Sequence, residues 1–359
     1  MSNAFVISTF GDEGGVNDVV KSIIECLVDA GFNVRHCYVE GKKILNKTKE
    51  GITQIGNINN CPPLIWPIML NKAVSTIAEN DDLLISVNGI TYGLKGHMAH
   101  VCYCHFSSYS AYIYQSRFVK GCRRFYRLIA GIFYKYIEQH QYPQVLLFNS
   151  KYTMNNSKHM KYMVKKDILY PPVNASDQIY IKKEKRDPKM VVSLGRISPE
   201  KDQLLQIRIA SKLPEYTFIL LGFADEKSQY YKIVRSAASR LNNVHVMPNV
   251  SQATTEEYLR KSTYYLHTMK GEHFGISILQ AVIAGCIPII HKDGGAQEVL
   301  NGCCLKWENE LDILRYLKLG NTEMVLIDEK CMQDIIDITS KASFKRSLGT
   351  IVAGVHSKS

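Results

Sequence analysis

Short strands and helices alternate in two similar series along this chain, and a proline- and lysine-rich break separates the two series. In the first series, β-branched and aromatic runs alternate with helical hydrophobic patterns from Ala4 to Phe148. The second series runs in the same way from Met190 to Ile290. Because strands separated by helices form parallel, doubly wound sheets, the sequence predicts an α/β protein. Its 359 residues are too many for one ordinary core, so we expect two Rossmann-like domains.

The break begins at Tyr170-Pro171-Pro172 and continues through a polar stretch as far as Pro188. We predict a first domain over residues 1–175, a linker over 176–188 and a second domain over 189–335. Residues 336–359 are expected to form a helix that packs back on the first domain. Ligands of such sheets bind beyond the carboxyl ends of the strands, so a cleft between two facing domains is the expected site.

Basic residues are concentrated in one part of the first domain. The formal net charge of the whole chain is +11. The segment from Lys95 to Lys166 contains twelve Lys or Arg residues and one acid, Glu138, so its net charge is also +11. The rest of the chain is therefore neutral on balance. A segment of this kind predicts an anionic partner: phosphates, acidic lipid headgroups or nucleic acid.

The core of this basic segment, residues 112–136, interleaves cations with phenylalanine and tyrosine and is expected to form one helix. Cations and aromatic rings together suit a lipid headgroup interface. We therefore expect contact with an anionic membrane surface, and a packed helix with a solvated basic face stays open as the alternative. The predicted membrane-surface residues are Arg117, Lys120, Arg123, Arg124 and Arg127.

Three of the expected strand ends carry residues suited to ligand binding. A glycine-rich turn, Gly11 to Gly15, follows the first strand and opens a helix whose N-terminus favours negative charge. It lacks the GxGxxG spacing, so a plain tight turn remains an alternative. His105 ends another strand and is expected to point into the cleft, although a structural histidine is the commoner case. In GRISPEK, 195–201, Arg196 and Lys201 can neutralise a diphosphate, or Glu200 can pair with its neighbours in a solvated loop.

The fourth strand end is followed by GEHFGISILQ, residues 271–280. A helix is expected to begin near Gly275, which leaves the amides of Phe274, Gly275 and Ile276 available to a phosphate. Glu272 lies in the preceding loop, where its carboxylate can accept hydrogen bonds from sugar hydroxyls. A role as a helix cap is the alternative for this residue.

These motifs together resemble those of the retaining glycosyltransferases that include the glycogen, sucrose and mannosyl transferases. GRISPEK is similar to the family element G-R-x-x-x-E-K, GEHFGISILQ to E-x7-E, and DGGAQEV, 293–299, to a glycine pair followed by Glu. The resemblance implies the GT-B fold, in which two Rossmann-like domains face each other across a cleft. Segments such as YYLHTMKGEHFGI, HVCYCHFSSYS and LYPPVN further resemble the eukaryotic α-1,2-mannosyltransferases that extend lipid-linked oligosaccharide.

That resemblance implies GDP-mannose as the nucleotide-sugar donor and a lipid-linked glycan as the acceptor. It assigns Arg196 and Lys201 to the donor diphosphate, Glu272 to the hexose hydroxyls, and the amides of residues 274–276 to the phosphate and sugar. Four residues are thereby implied to be catalytic: His105, Glu272, Arg196 and Lys201.

The same resemblance implies that Gly14 and Gly15 line the donor and acceptor sites and that His105 contacts the sugar near the reacting carbon. Gln280 occupies the place of the second acid, which in the family binds the ribose hydroxyls. An amide can form the same hydrogen bonds more weakly than a carboxylate.

A retaining transfer without a second carboxylate predicts departure and attack on one face of the sugar, with electrostatic stabilisation by Arg196, Lys201 and the helix terminus. No DxD motif is present, and we expect neither a metal nor a cofactor. We expect no signal peptide, and the cysteine spacing is unlike a secreted disulfide framework, so a cytoplasmic location on the cytosolic face of a membrane is predicted. Two other functions stay open: transfer from UDP-glucose or UDP-GlcNAc, and an inactive scaffold that binds a membrane or, less in keeping with the motifs, nucleic acid.

Overall fold

A computed structural model describes residues 2–9, 15–59, 61–95, 99–141, 143–160, 165–173, 186–320 and 329–356. The chain divides into two compact units. Unit 1 comprises residues 1–172 together with 339–359, and unit 2 comprises 173–338. Within the described ranges, no helix combines the length and the hydrophobicity needed to cross a bilayer.

Each unit contains one β-sheet. The sheet of unit 1 has eight strands in the order β4-β3-β2-β1-β5-β6-β7-β8, and the sheet of unit 2 has six in the order β11-β10-β9-β12-β13-β14. The strands are β1 (Asn3–Ser8), β2 (Asn33–Glu40), β3 (Lys43–Thr48), β4 (Gly51–Asn57), β5 (Leu83–Ser86), β6 (Ala99–Cys104), β7 (Val145–Phe148), β8 (Lys165–Ile168), β9 (Asp187–Leu194), β10 (Thr217–Gly222), β11 (Val244–Pro248), β12 (Ser262–Leu266), β13 (Ile287–His291) and β14 (Leu305–Trp307).

Helices connect these strands. They are α1 (Gly15–Asp29), α2 (Trp66–Ile77), α3 (Ser108–Gln115), α4 (Gly121–Gln139), α5 (Lys151–Asn156), α6 (Gln203–Ala210), α7 (Gln229–Ala238), α8 (Gln252–Lys261), α9 (Ile276–Ile283), α10 (Gln297–Leu300), α11 (Glu310–Leu319), α12 (Glu329–Thr339) and α13 (Lys341–His356). The α/β fold class predicted from the alternating pattern is thereby confirmed. Every strand pairing in the sheet of unit 2 is parallel.

In the sheet of unit 1, the pairings of β1 with β2 and β5 and those from β5 to β8 are parallel, as predicted. Beyond β2 the sheet continues into an antiparallel hairpin of β3 and β4 that the sequence pattern did not predict. This hairpin was missed because its outer strand has no apolar face. Every residue of β4 is exposed or half-buried, as befits an edge strand. The turn at Gly41, with φ of +58°, connects β2 to the hairpin.

The C-terminal helix α13 belongs to unit 1 and packs against α1. Its apolar residues Phe344, Leu348 and Val352 are buried in the same core as the first strands. At the surface, the ammonium of Lys345 lies 2.9 Å from the carboxylate of Asp29. The predicted C-terminal segment, 336–359, covers the end of α12 and all of α13.

The linker predicted over 176–188 lies largely outside the described residues, and its last part is structured. Asp187 already begins β9, and Arg186 is buried. The Arg186 guanidinium donates hydrogen bonds to the carbonyls of Leu259, Ser262 and Ala284. These carbonyls lie at the C-terminal ends of α8 and α9. In addition, a disulfide joins Cys303 to Cys331, which the cysteine spacing did not predict.

The basic aromatic segment was expected to be one helix, and this was wrong. The chain turns between α3 and α4 through a short 3-10 helix, Ser116–Phe118, and α4 begins at Gly121 with φ of +57°. Gly121 adopts a conformation that other residues avoid, so the helix cannot run through it. Arg117 and Lys120 therefore precede α4 instead of lying on it.

Candidate active site

Three side chains of unit 2 meet beyond the carboxyl ends of β9 and β12. The Lys201 ammonium lies 2.5 Å from Oε2 of Glu272. The same carboxylate oxygen accepts a hydrogen bond from Nε2 of His267 at 3.0 Å. Its other oxygen, Oε1, accepts from the backbone amide of His273 at 3.1 Å. We call Lys201, His267 and Glu272 the charge cluster.

The Lys201 side chain is directed to Glu272 by the turn that follows it. Asp202 has left-handed backbone angles, with φ of +50°, and caps α6. The hydroxyl of Thr268 donates a hydrogen bond to the carbonyl of Lys201 at 2.6 Å and accepts one from Gln206 at 2.7 Å. Thr268 follows β12, so the end of that strand fixes the loop after β9.

The backbone of Glu272 is held by the glycine pair that follows β13. The amide of Gly295 donates to the carbonyl of Glu272 at 2.8 Å, and Gly294 pairs with Glu272 in an isolated parallel bridge. A Cβ atom at Gly294, where φ is +156°, would lie 3.0 Å from that carbonyl oxygen. At Gly275, where φ is +86°, a Cβ atom would lie 2.6 Å from Ile278. Glycine is therefore required on both sides of the carboxylate.

The charge cluster keeps Glu272 ionised. Burial would raise the pKa of Glu272, but the Lys201 charge and the hydrogen bond from His267 outweigh it and hold the pKa well below its usual range. Burial also lowers the pKa of His267, against the raising effect of the Glu272 hydrogen bond. His267 therefore stays a neutral donor, and the net charge of the three side chains at neutral pH is zero.

Helix α9 begins directly beside this cluster. Its N-cap is Gly275, and Ile278 and Leu279 already donate their amides to the Gly275 carbonyl. Within the described part of the chain, the amides of Gly275 and Ile276 have no hydrogen-bond partner. They form the positive end of the helix dipole, which favours a phosphate. Gln280 lies on α9 and is half-buried.

Arg196 is placed differently from Lys201, although both belong to GRISPEK. Its side chain is 63% exposed and pairs with Glu200 at 3.0 Å. The Gly195 amide donates to the Leu221 carbonyl, which continues the pairing of β9 with β10 into this loop. The structure thus brings Lys201 and Glu272 together and leaves Arg196 on the surface of the loop.

Residues 176–302, which contain the charge cluster, match the family described as Glycosyl transferases group 1. The chain carries a glycosyl transferases group 1 domain in a GT-B fold. A mouse protein named GDP-Man:Man(3)GlcNAc(2)-PP-Dol alpha-1,2-mannosyltransferase is 30% identical over 169 residues, which cover 42% of this chain and 34% of the relative. The human protein of the same name is 28% identical over 204 residues, covering 52% and 41%. The chain thus matches about two-fifths or less of these relatives' lengths.

Solved structures support the GT-B fold over the whole chain. A sucrose-phosphate synthase from Thermosynechococcus elongatus superposes with a TM-score of 0.75 at 13% identity and covers 100% of both chains. A glycosyltransferase from Rickettsia africae superposes with a TM-score of 0.69 at 13% identity, covering 100% of this chain and 99% of its own. At this identity the likeness establishes the fold alone.

Unit 1 has a separate cavity of about 330 Å³ at the carboxyl ends of its strands. His105 directly follows β6 and lines this cavity, with its ring in edge contact with Tyr103 at 4.8 Å between ring centroids. Most of the remaining lining is apolar or aromatic, including Trp66 and Tyr134. Arg127 is the one cation among the lining residues described for this cavity.

Arg127, predicted to lie at a membrane surface, is half-buried. Its guanidinium donates to the side chain of Gln115 on α3 and lines the cavity. The predicted residue Gly14 lies outside the described residues, and Gly15 is the first residue of α1. Among the described residues, no group of three His, Cys, Asp or Glu side chains could hold a metal ion.

Sequence reasoning missed two contributors to the group 1 domain's site. His267 ends a run of buried aromatics and was treated as part of a strand, and Thr268 was not considered. The sequence signal for His267 was its place at a strand end, five residues before Glu272. Its hydrogen-bond partner is Glu272 itself, whereas Lys201, the cation that completes the charge cluster, lies 66 residues before His267 and could not be inferred from local pattern.

Proposed function

We propose that this chain is a retaining glycosyltransferase that transfers mannose from GDP-mannose to a lipid-linked glycan. The observation that carries the proposal is the ionised Glu272, paired with Lys201, beside the N-terminus of α9 in a group 1 domain. The choice of GDP-mannose and of the acceptor is supported by relatives named GDP-Man:Man(3)GlcNAc(2)-PP-Dol alpha-1,2-mannosyltransferase.

In the proposed donor complex, Glu272 accepts hydrogen bonds from hexose hydroxyls. A carboxylate held ionised is a strong acceptor, and its 16% exposed side chain leaves it reachable by a ligand. Lys201 and the amides of residues 274–276 bind the diphosphate. Arg196 lies on the neighbouring loop and can turn from Glu200 to a phosphate at small cost, because its present ion pair is exposed.

The chemical step in this proposal is a transfer on one face of the sugar. The bond between the anomeric carbon and the diphosphate oxygen breaks, the acceptor hydroxyl forms its bond on the same face, and its proton passes to the departing diphosphate. Charge that develops on the diphosphate is stabilised by Lys201, Arg196 and the end of α9. No metal is required for that role, so activity in excess EDTA should equal activity without it.

Unit 1 supplies the acceptor side in this proposal. We assign the cavity that His105 lines, with its mostly apolar and aromatic walls, to the acceptor. Gln280 would hold the ribose hydroxyls as an amide. Because the acceptor is lipid-linked, the protein acts as a peripheral protein on the cytosolic face of a membrane.

A thermal-shift panel tests the donor assignment. GDP-mannose and GDP should raise the unfolding temperature, since a ligand at 100 times its Kd adds about 2.7 kcal/mol to the free energy of unfolding. UDP, UDP-glucose, UDP-GlcNAc and ADP serve as comparisons at equal concentration. Stabilisation by a uridine nucleotide alone would refute GDP-mannose, and stabilisation by none of them would refute the transferase.

A further inference from the structure

Helix α4 has two apolar faces, and the fold packs only one of them. On the inner face, Ala130, Tyr134 and Ile137 are almost completely buried. On the outer face, four large apolar residues recur at intervals of four, three and four positions, so they form one row along the helix. We call this row the α4 stripe: it consists of Phe125, Ile129, Ile132 and Tyr136, which are 67%, 50%, 66% and 55% exposed.

The inner face fixes the direction in which this row points. A Cβ atom at Gly131 would lie 2.8 Å from Ile113, so α4 approaches α3 closely at that position. The ring of Tyr134 stacks on Tyr112 with 5.4 Å between centroids, and its hydroxyl donates to the Leu64 carbonyl at 2.5 Å. These contacts hold the inner face of α4 against unit 1, so the opposite face, which carries the α4 stripe, points to solvent.

The charges around the stripe are of one sign. Arg123 and Arg124 are exposed on the first turn of α4, and Lys120 precedes it. The one acid of α4, Glu138, is 1% exposed and accepts hydrogen bonds from Ser107 and His159. No negative charge of α4 therefore reaches its outer surface, and the face is apolar with a cationic end.

We propose that the α4 stripe docks unit 1 on a lipid bilayer that contains anionic lipids. The helix lies parallel to the surface, the stripe enters the boundary between headgroups and acyl chains, and Arg123 and Arg124 contact lipid phosphates. This occupant fits both the charge and the exposed row, because a nucleic acid backbone would meet the cations and leave Ile129 and Ile132 in water. Its purpose rests on the proposed function, since a lipid-linked acceptor would reach the cavity from the membrane to which α4 binds.

Vesicle sedimentation with the 359-residue chain tests the proposal. Vesicles of phosphatidylcholine with phosphatidylserine are compared with vesicles of phosphatidylcholine alone. The wild type should bind the anionic vesicles, and the variant Phe125→Ser/Ile129→Ser/Ile132→Ser should bind them at least about tenfold more weakly. The matched control is Ile52→Ser/Leu311→Ser/Leu319→Ser, which removes three apolar side chains of similar exposure elsewhere and should bind like the wild type.

A second variant keeps the test valid if the first is poorly folded. Arg123→Gln/Arg124→Gln should bind anionic vesicles about tenfold more weakly and should abolish most of the salt dependence. Equal binding by the wild type and both variants would overturn the proposal, as would absence of vesicle binding by the wild type at low salt. Stripe-dependent dimerisation of the wild type without vesicle binding would also overturn it, because the occupant would then be a second copy.

The donor thermal shift separates this proposal from the proposed function. The stripe variant should be stabilised by GDP-mannose as strongly as the wild type, because none of its substitutions lies in unit 2. Vesicle binding without any nucleotide stabilisation would support the docking surface and refute the proposed transferase function. Nucleotide stabilisation without vesicle binding would support nucleotide binding by unit 2 and refute the docking surface.

Discussion

Glu138 in unit 1 and Glu272 in unit 2 are both acids held below the surface, and they differ in what surrounds them. Glu138 is 1% exposed and accepts hydrogen bonds from the Ser107 hydroxyl, the Ser108 amide and His159. Glu272 has a 16% exposed side chain and is paired with a lysine. The first carboxylate ties the start of α3 to α4, whereas the second lies open at a strand end.

The difference separates a structural acid from a binding one. The partners of Glu138 are groups of its own unit that need a permanent acceptor, and they leave no room for a ligand. Lys201 can serve Glu272 and a phosphate at once, since an ammonium has three donors. A buried acid is therefore a candidate for ligand binding when its partner is a cation with unused donors and part of the carboxylate reaches solvent.

The largest expected effect belongs to Glu272→Gln. The amide keeps the shape but loses the charge that binds sugar hydroxyls and orients Lys201, so we expect transfer to fall by about 10²–10³-fold. Measured kcat and KM for GDP-mannose check this. Glu257→Gln, which removes an acid from an exposed pair with Lys261, is the control and should be fully active. Activity of Glu272→Gln within a fewfold of the wild type would reduce Glu272 to a structural role.

The same variant predicts a pH dependence of stability. Since the folded pKa of Glu272 is below its ordinary value of 4.5, its pairing stabilises the fold fully above about pH 4.5. That contribution is lost as the pH falls through the folded pKa. The free energy of unfolding of the wild type, measured with urea, should therefore exceed that of Glu272→Gln at pH 6, and the gap should narrow towards pH 3. A gap independent of pH would contradict the charge cluster.

Glu138→Gln should lower the stability of the protein and leave donor binding unchanged, whereas Glu272→Gln should act mainly on transfer. The amide cannot accept from Ser107, Ser108 and His159 together, so the free energy of unfolding should fall by about 2 kcal/mol. Because the change lies in unit 1, the thermal shift produced by GDP-mannose should be as large as in the wild type. Loss of that shift in a folded Glu138→Gln protein would contradict the separation of the two acids' roles.

Glu138 and Glu272 also show which features of the structure can be predicted from the sequence and which cannot. The strands with apolar cores, such as β7 and β13, were predicted to within a residue, and Gly275 was expected at the start of α9. Glu272 was found because it stands before that glycine. Glu138 was noticed only as the one acid of a basic segment, because its partners come from α3 and from a loop 21 residues further along the chain.

Long-range contacts account for most of what the sequence left open. The edge hairpin of β3 and β4 lacks the apolar alternation that predicts strands, since one of its strands faces solvent throughout. The pairing of Lys201 with Glu272 spans 71 residues. The α4 stripe could be predicted as apolar from its spacing, but its exposure depends on which face of α4 packs on α3.

Lys201→Met should weaken donor binding by about tenfold to thirtyfold, an effect smaller than that of Glu272→Gln because the α9 amides remain. Burial without the lysine should raise the pKa of Glu272, so the pH dependence described above should flatten. Isothermal titration with GDP measures the affinity. Lys212→Met, which breaks an exposed pair with Glu310, is the control and should leave the affinity unchanged. Unaltered GDP affinity in Lys201→Met would mean that Lys201 only neutralises Glu272.

The smallest effect is expected for Arg196→Gln. Its pair with Glu200 is exposed, so the free energy of unfolding should change by less than about 0.5 kcal/mol. GDP affinity should fall a fewfold, because Arg196 must leave Glu200 and order a long side chain to reach a phosphate. The double variant Arg196→Gln/Lys201→Met then measures whether the two cations act on one diphosphate. If the two losses simply multiply, each cation binds independently, whereas a combined loss much smaller than that product would show that Arg196 contributes only when Lys201 has placed the phosphate.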